Sequence, residues 1–328
     1  MTTRRQFNTL VGSNIALAAL GTSTAVRAQT TTETAKILVG FPPGGTTDAI
    51  SRRVADKLRG NYANNVIVEN KPGAGGQIAV SALKDAPADG SVMLLTPSSI
   101  LSIYPFTYPK LPYTLADVAP ASVACFFSHG FGVGPAVPDT VKSLRDFIAW
   151  AKANPGKASF ATPAAGSMPH LIGALLGKLT GVDLNAVHYR GSAPAITDLL
   201  GGQIAAMSSP LGDYLQHIKS GKLRLLATSG PQRSPYTPDV PNYREQGVDI
   251  ALREWYGFFL PGRANAAAQQ RAASALKVAL AGQDVIATLQ SAGMEAESST
   301  PEQLAAWLKS DADIWGPLVK KIGFTAES

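Results

Sequence analysis

The sequence repeats one small pattern along most of its length: an apolar run of strand length, a loop of small residues, and an amphipathic helical segment. In the first copy the apolar run is Lys36–Phe41, the loop is rich in Pro, Gly and Thr, and the helical segment starts at Asp48. Ile50, Val54 and Leu58 recur there at intervals of four, which places them on one face of a helix. Strands that alternate with helices form parallel sheets covered on both faces. The pattern therefore predicts an α/β protein with parallel-type sheets under layers of helices.

The pattern recurs in two groups, with an irregular stretch between them. Later strands are predicted at 65–69, 91–95, 158–161, 184–188, 203–207, 223–228 and 251–260. The stretches 104–138 and 229–247, both rich in Pro, are interpreted as irregular. The chain closes with helical stretches at 265–281 and 302–322, and Pro317 is expected to kink or split the second.

The two groups predict two α/β lobes joined by two chain crossings. The crossings are expected near 121–133 and near 253–259. One predicted lobe combines 29–124 with 254–328, and the other is 125–253. Ligands of parallel sheets bind beyond the carboxyl ends of the strands, so the loops that follow the strands should line a cleft between the lobes.

Residues 1–28 are interpreted as a signal peptide. A basic pair, Arg4 and Arg5, precedes a modest apolar core at 10–20, and small residues stand before a cleavage point after Ala28. The basic pair also fits a twin-arginine signal, so export by the Sec route and by the twin-arginine route both stay open. Either route predicts a periplasmic protein.

The net charge is mild once this segment is removed. The whole chain has 29 basic and 23 acidic residues, a net charge of +6. Residues 1–28 hold three arginines and no acid, so 29 minus three leaves 26 basic against 23 acidic residues, a net charge of +3. Binding to nucleic acid usually needs a clustered basic face, which this sequence lacks. Nucleic acid is therefore not expected as a partner.

The loops after the predicted strands combine small residues with helix starts. A helix N-terminus has unpaired N–H groups and a partial positive charge, so it binds anions without Lys or Arg. Any one such loop could be an ordinary turn with a helix cap, but several of them favour a cleft for an anion or carboxylate. The predicted ligand-binding residues, which lie in or beside these loops, are Phe41, Pro43, Gly44, Gly45, Thr46, Asp48, Gly75, Gly76, Ser98, Ser99, Thr162, Gly166, Ser167, Arg190, Gly191 and Ser208.

Two charged residues of this set have a second interpretation. Asp48 either orients the first helix or contacts the ligand, because acidic residues favour the first turn of any helix. Arg190 either pairs with a carboxylate or faces solvent. The sequence leaves both alternatives open.

The sequence gives little support for the binding of phosphate, of a dinucleotide or of zinc. The first Gly-rich loop lacks the Lys of a phosphate-binding P-loop, and the dinucleotide-type run after residue 73 has Ile78 at its third Gly position. The single cysteine, Cys125, excludes a disulfide framework and a Cys-based zinc site, and no cofactor is expected. Ser167 and His170 form either a nucleophile and base, or a helix cap and a packed side chain. A secreted α/β enzyme acting on small organic acids therefore stays the alternative to a binding protein.

Short motifs that follow one another along the chain carry a family resemblance. They are GFPPGGTTDAISR at 40–52, VENKPGAGG at 68–76, AAGSMPHL at 164–171, HYRG at 188–191, DLLGGQ at 198–203, SGKLRLLA at 220–227 and EWYGFFLP at 254–261. Together they make the chain resemble the Bug (Bordetella uptake gene) family, the solute-binding proteins of tripartite tricarboxylate transporters.

The resemblance implies a two-lobed periplasmic binding protein of the Venus-flytrap type that closes over a small carboxylate. The loop after the first strand, residues 43–46 with Asp48, would hold the carboxylate, and Gly75, Ser98, Ser167 and Gly191 would surround the rest of the cleft. The implied partner is a membrane permease of the tripartite tricarboxylate type or a sensor, and the chain is expected to be a monomer. The protein is not expected to be an enzyme.

One segment departs from the family pattern. Family members often carry acidic residues in the strand after Gly-Gly-Gln, whereas residues 204–209 here read Ile-Ala-Ala-Met-Ser-Ser. An ammonium group on the ligand would then lack a counter-charge. The sequence therefore predicts a ligand without an amino group, either a monocarboxylate or a dicarboxylate, with aromatic acids included.

Overall fold

The strands form two separate sheets, each of which draws on a different part of the chain. The computed structural model describes residues 32–326, and the predicted signal peptide lies outside these residues. The eleven strands are β1 Thr32–Val39, β2 Ala63–Asn70, β3 Val92–Pro97, β4 Val118–Phe127, β5 His129–Val133, β6 Ser159–Thr162, β7 Asn185–His188, β8 Ala206–Pro210, β9 Arg224–Thr228, β10 Glu254–Pro261 and β11 Met294–Ala296. The first sheet has the order β11-β4-β10-β3-β1-β2, and the second has the order β7-β6-β8-β5-β9.

Both sheets are mixed. The strands of the repeated pattern pair in parallel as the sequence predicts, β1 with β2 and β3, and β6 with β7 and β8. The strands next to the chain crossings run the other way: β10 is antiparallel to β3 and β4, and β5 is antiparallel to β8 and β9. β5 follows β4 of the other sheet directly, and β10 is reached from β9 of the other sheet without an α-helix. Neither strand therefore enters its sheet through the helical crossover that usually connects parallel strands.

Helices cover the sheets and begin where the strand loops end. Their bounds are α1 Thr46–Leu58, α2 Gln77–Lys84, α3 Ser99–Ser102, α4 Tyr104–Thr107, α5 Leu144–Ala153, α6 Met168–Thr180, α7 Ser192–Leu200, α8 Gly212–Lys219, α9 Ala266–Leu280, α10 Gln283–Ser291 and α11 Pro301–Ile322. Among residues 32–326 no single helix is long and apolar enough to cross a membrane. The pair α9 and α10 reaches that length and composition only when taken together, across a bend of 76°.

The prediction of an irregular stretch at 104–138 is wrong. It contains α4 and the two strands β4 and β5. Pro120 obscures the first strand in the sequence, and it lies beside an irregularity in the pairing of β4 with β10, where a missing N–H is tolerated. Gly130 and Gly132 weaken the sequence signal of the second strand, β5. A Cβ at either glycine would lie less than 3.0 Å from the ring of Tyr214, which packs on this strand.

The last helix joins the two cores. α11 is 22 residues long and continues through Pro317, so this proline does not split it. Leu304 and Leu308, near its start, pack in the core beside the first sheet. Trp315 and Val319, near its end, pack in the core of the second sheet. The C-terminal segment that was predicted to belong to one lobe therefore contributes to both cores.

The chain changes sheet at two points. The first lies between the end of β4 at Phe127 and the start of β5 at His129, which is later than the predicted boundary at 124/125. The second lies between β9, which ends at Thr228, and β10, which begins at Glu254. The Ser229 hydroxyl fixes the two points to each other: it accepts the amide hydrogen of His129 at 2.9 Å and donates to the carbonyl of Leu252 at 2.7 Å.

Candidate functional site

A cavity of about 650 Å³ lies where the loops from both sheets meet. This volume is typical of small-molecule sites, which run from roughly 300 to 1,000 Å³. The cavity brings together more than half of the predicted ligand-binding residues, from β1–α1 in the first sheet and from the strand loops of the second. The predicted residues in its wall are Phe41, Pro43, Gly44, Gly45, Thr46, Ser99, Ser167, Arg190 and Gly191.

Several helices begin in this wall without a capping side chain, and three of them follow predicted ligand-binding residues of the strand loops. α1 begins after Gly45, α6 after Ser167 and α7 after Gly191, and none of these residues makes a side-chain cap. Away from the cavity, Ser143 and Thr300 cap their helices, whereas α2 and α10 begin without a side-chain cap. Uncapped N-terminal N–H groups need another acceptor, and the helix dipole favours a negatively charged one. The wall is therefore built to accept an anion.

Asp48 fixes the conformation of the loop that precedes α1. Its carboxylate accepts the amide hydrogen of Gly44 at 3.0 Å, a hydrogen bond from Asn70 Nδ2 at 2.9 Å, and two from Arg52 at 2.9 and 3.0 Å. Burial alone would raise the pKa of Asp48, but the hydrogen bonds from Arg52, Gly44 and Asn70 bring it below its usual value. The side chain does not line the cavity. Of the two interpretations, the structure supports the one in which Asp48 orients the loop and helix.

His170 fixes the conformation of the loop that precedes α6. Its Nδ1 accepts the amide hydrogen of Gly166 at 3.0 Å, and the hydroxyl of Ser167 donates to the carbonyl of Ala164 at 2.7 Å. Burial and the nearby ring of His188 lower the pKa of His170 to about 3, so the ring is neutral and can accept this bond. Ser167 and His170 therefore do not form a nucleophile–base pair. His170 is a packed side chain, as the second interpretation predicted, whereas Ser167 stands at the N-cap position of α6 but makes no side-chain cap.

The loops before α1 and α6 are each fixed by a side chain in the first turn of the helix that follows. In both cases a glycine with positive φ, +88° at Gly44 and +69° at Gly166, gives its N–H to the residue four positions later. These two amides are consequently not free for a ligand. The free donors of the wall are those that follow, at the helix starts.

Seven predicted residues lie outside the cavity wall. Ser98, Thr162 and Ser208 are fully buried, and the Ser208 hydroxyl donates to a carbonyl of α6. Gly75 and Gly76 pack under side chains, because a Cβ there would lie 2.6 Å from the Tyr104 hydroxyl and 2.5 Å from Ile100 Cδ1, respectively. Asp48 accepts the amide hydrogen of Gly44, and Gly166 donates its amide hydrogen to His170. The seven are Asp48, Gly75, Gly76, Ser98, Thr162, Gly166 and Ser208.

The sequence analysis missed three titratable groups of the wall, His129, Glu254 and Asp213. His129 and Glu254, at the two points where the chain changes sheet, lie with Nε2 and Oε2 2.9 Å apart, and both side chains are buried. The second Glu254 oxygen accepts the amide hydrogen of Ser99 at 3.2 Å. Asp213, in the first turn of α8, also lines the cavity. Each stands in an apolar or loop context in the sequence that carries no signal of a binding site.

Hydroxyl groups and one arginine complete the wall. Thr46 Oγ1 and the Tyr256 hydroxyl are 3.0 Å apart, and burial holds the pKa of Tyr256 well above its ordinary value, so the phenol stays neutral. Arg190 lines the cavity, is exposed, and has no carboxylate within 4.0 Å among residues 32–326. Within the same residues no three His, Cys, Asp or Glu side chains come together as metal ligands.

Known proteins match this chain over most of its length. Residues 50–324 match the family described as tripartite tricarboxylate transporter family receptor. Protein BugT of Bordetella pertussis is 33% identical over 291 residues, which cover 88% of this chain and 89% of BugT. The solved structure of the periplasmic binding protein BugD is 28% identical, covers 90% of this chain and 99% of its own, and has a TM-score of 0.82. The structure of R. palustris Rpa4515 with adipate is 26% identical, with coverages of 90% and 98% and a TM-score of 0.84. These likenesses confirm the predicted two-lobed periplasmic binding protein fold.

Proposed function

We propose, from the premise that this chain belongs to the tripartite tricarboxylate transporter receptor family, that its cavity captures a small carboxylate for uptake. The match to BugT confirms the resemblance that the sequence motifs carry. The chain is a solute-binding receptor of this family. Its carboxylate ligand and its membrane partner belong to the proposal.

The observation that carries the proposal is the set of three uncapped helix starts around one cavity. The N-termini of α1, α6 and α7 present backbone N–H groups without a side-chain cap, and Arg190 adds a cation that has no carboxylate within 4.0 Å in the described part of the chain, residues 32–326. A carboxylate satisfies several such donors at once, because its two oxygens accept about four hydrogen bonds. The relative Rpa4515, whose structure contains adipate, supports the same ligand class.

The binding residues in this proposal are the predicted ones that line the wall, and not the seven that lie behind it. We place the lobe boundaries at the two sheet changes, between Phe127 and His129 and between Thr228 and Glu254. Closure of the lobes would bring the α1 start of one lobe against the α6 and α7 starts of the other. The chain is a monomer, it is exported to the periplasm, and it passes its solute to a permease or a sensor.

No catalytic step is part of the proposal. The hydroxyl of Ser167 and the ring of His170 each bond to loop backbone rather than to each other. A receptor returns its ligand unchanged, so mass spectrometry of the solution after incubation with a bound acid should recover that acid intact. A converted product would favour the alternative of a secreted enzyme.

Substitution of Gly45 tests the site directly. A Cβ at Gly45 would meet only the carbonyl oxygen of Pro42 at 3.7 Å, an ordinary contact, and φ is −77°, so a side chain fits the fold. Gly45→Val should therefore preserve the unfolding temperature but fill the space beside the α1 start, and calorimetry should show affinity at least about tenfold lower. Gly45→Ala should lie between. Ala266→Val, at the start of α9 and outside the cavity wall, is the matched control. Unchanged affinity in Gly45→Val would remove this loop from the site.

A further inference from the structure

The two carboxylates of the cavity wall are not equivalent. Glu254 has a close neighbour at each oxygen: one lies 2.9 Å from His129 Nε2, and the other accepts the amide hydrogen of Ser99. Asp213 has only hydroxyl partners: Ser209 Oγ donates to it, and Ser192 Oγ lies 3.2 Å from Ser209 Oγ. Among residues 32–326 no basic nitrogen lies within 4.0 Å of its carboxylate. Asp213 is thus an acid at the cavity without a cationic partner.

The position of Asp213 gives the cavity two different ends. Ser192 is the first residue of α7, so Asp213 lies close to one of the uncapped helix starts and offsets its positive field. The start of α1 has no such acid on the cavity side, since Asp48 is turned away and bound to Arg52 and Gly44. Of these two helix starts, that of α1 is therefore the more favourable for a ligand carboxylate.

We infer that Asp213 binds an amino group on the ligand, so that the solute is an amino-substituted carboxylic acid; this inference rests on the proposed function. A partly buried carboxylate without a cation is costly, and an ammonium group would supply the missing charge and donate hydrogen bonds. Burial raises the pKa of Asp213 by more than the hydrogen bonds from Ser209 and Ser192 lower it. The raised pKa agrees with a site that lacks a positive partner. His129 and His217, both in the wall, lower this pKa only through electrostatics at longer range.

This inference reverses one expectation from the sequence. The argument against an amino group was the absence of acids in residues 204–209. The structure brings the counter-charge to the cavity from the next helix instead, four residues beyond Ser209. The reason for excluding an amino group therefore disappears.

Matched pairs of acids test the inference. Wild-type protein, unfolded and refolded to remove co-purified solute, is titrated by calorimetry with amino acids and their deamino analogues: alanine and propionate, aspartate and succinate, glutamate and glutarate, phenylalanine and 3-phenylpropionate. We expect the amino member of one pair to bind more tightly than its analogue. Tighter binding of the deamino members throughout would overturn the inference but leave the proposed function intact. Failure of both members of every pair to bind would instead count against the proposed function.

The variants then assign the preference to one side chain. Asp213→Asn should lower the affinity for the amino member by about tenfold or more, the range of a hydrogen bond to a charged group, and change the deamino analogue by less than about threefold. The analogue also serves as the check that the variant folds. Glu254→Gln should affect both members alike, and Asp249→Asn, which is 83% exposed, should affect neither. Equal loss for both members in Asp213→Asn, no loss in either, or discrimination by Glu254→Gln would refute the assignment.

Discussion

Removal of the Asp48 carboxylate should loosen the cavity wall without removing any atom that touches the ligand. In Asp48→Ala, the Gly44 amide and the Asn70 side chain lose a charged acceptor, and each such bond is worth about 1.5–3 kcal/mol. The ion pair with Arg52, whose side chain is 52% exposed, adds no more than about 1 kcal/mol. Gly44 is exposed and recovers part of its loss by bonding to water. The expected loss in free energy of unfolding is therefore about 2–4 kcal/mol.

Two measurements separate the stability effect from the effect on binding. Calorimetric unfolding should show a fall of roughly 5–10 °C in the unfolding temperature of Asp48→Ala. Titration with a bound carboxylate at a temperature where the variant is folded should show an affinity at least about tenfold lower, because the loop before α1 no longer has a fixed position. Asp48→Asn keeps one oxygen for the Gly44 amide and should be intermediate in both measurements.

The Arg52→Ala variant provides the control. It removes the exposed partner of Asp48 but leaves the bond to Gly44, so its affinity should stay close to wild type. The reasoning is refuted if Asp48→Ala unfolds early yet binds like wild type. It is also refuted if Arg52→Ala loses as much affinity as Asp48→Ala, since the ion pair rather than the Gly44 bond would then fix the loop.

Three further predictions concern single side chains. The pKa of His170 lies near 3 in the folded protein against 6.5 ordinarily, so the free energy of unfolding should fall by up to about 5 kcal/mol as the pH drops from 6.5 to 3, and His170→Gln should flatten this slope in urea unfolding. Burial raises the pKa of Asp311 to about 7 although Trp255 donates a hydrogen bond to it. Because this pKa is raised rather than lowered as for His170, the free energy of unfolding should fall as the pH rises. Stability should fall by up to about 4 kcal/mol between pH 4 and 7, and Asp311→Asn should be the more stable protein at pH 8; an unchanged slope would contradict the assignment. Arg190→Ala should lower carboxylate affinity by roughly three- to tenfold at low salt and much less at high salt, since an exposed charge is screened; equal affinity at both salt concentrations would show that Arg190 only faces solvent.

The parts of the fold that follow a local pattern could be predicted from the sequence. The run Lys36–Phe41 and the spacing of Ile50, Val54 and Leu58 predicted β1 and α1, and the same reasoning located most later strands within a few residues. Each of these elements buries one face against its neighbours in the chain, so the periodicity is visible. The Gly44–Thr46 loop, which lines the cavity, could be located because it follows the first strand of this pattern.

The strands at the first chain crossing and the titratable groups His129 and Glu254 of the site could not be predicted in this way. β4 and β5 contain Pro120, Gly130 and Gly132, which weaken the strand signal and are accommodated only by partners far along the chain. His129 and Glu254 meet across 125 positions of sequence, and nothing local marks either one. Their importance arises from where the two crossings lie in the folded chain.

The roles of Asp48 and His170 show a second limit. Both stand beside predicted loop residues, and the sequence left open whether they act on a ligand or on the fold. The choice depends on a hydrogen bond to the backbone four residues earlier, and that bond depends on the positive φ of Gly44 or Gly166. Positive φ is accessible to glycine in many loops, so the presence of glycine alone does not predict the bond.

Thermal unfolding with paired acids and amides tests the central claim, that the helix starts of this cavity hold a carboxylate. Refolded protein is heated alone and with small carboxylic acids, each compared with its uncharged primary amide. A ligand at about 100 times its dissociation constant adds roughly 2.7 kcal/mol to the free energy of unfolding, which should raise the unfolding temperature by roughly 5–10 °C. The account predicts such a shift for at least one class of acid and none for its amides. Equal shifts by acid and amide, or no shift with any acid, would contradict it.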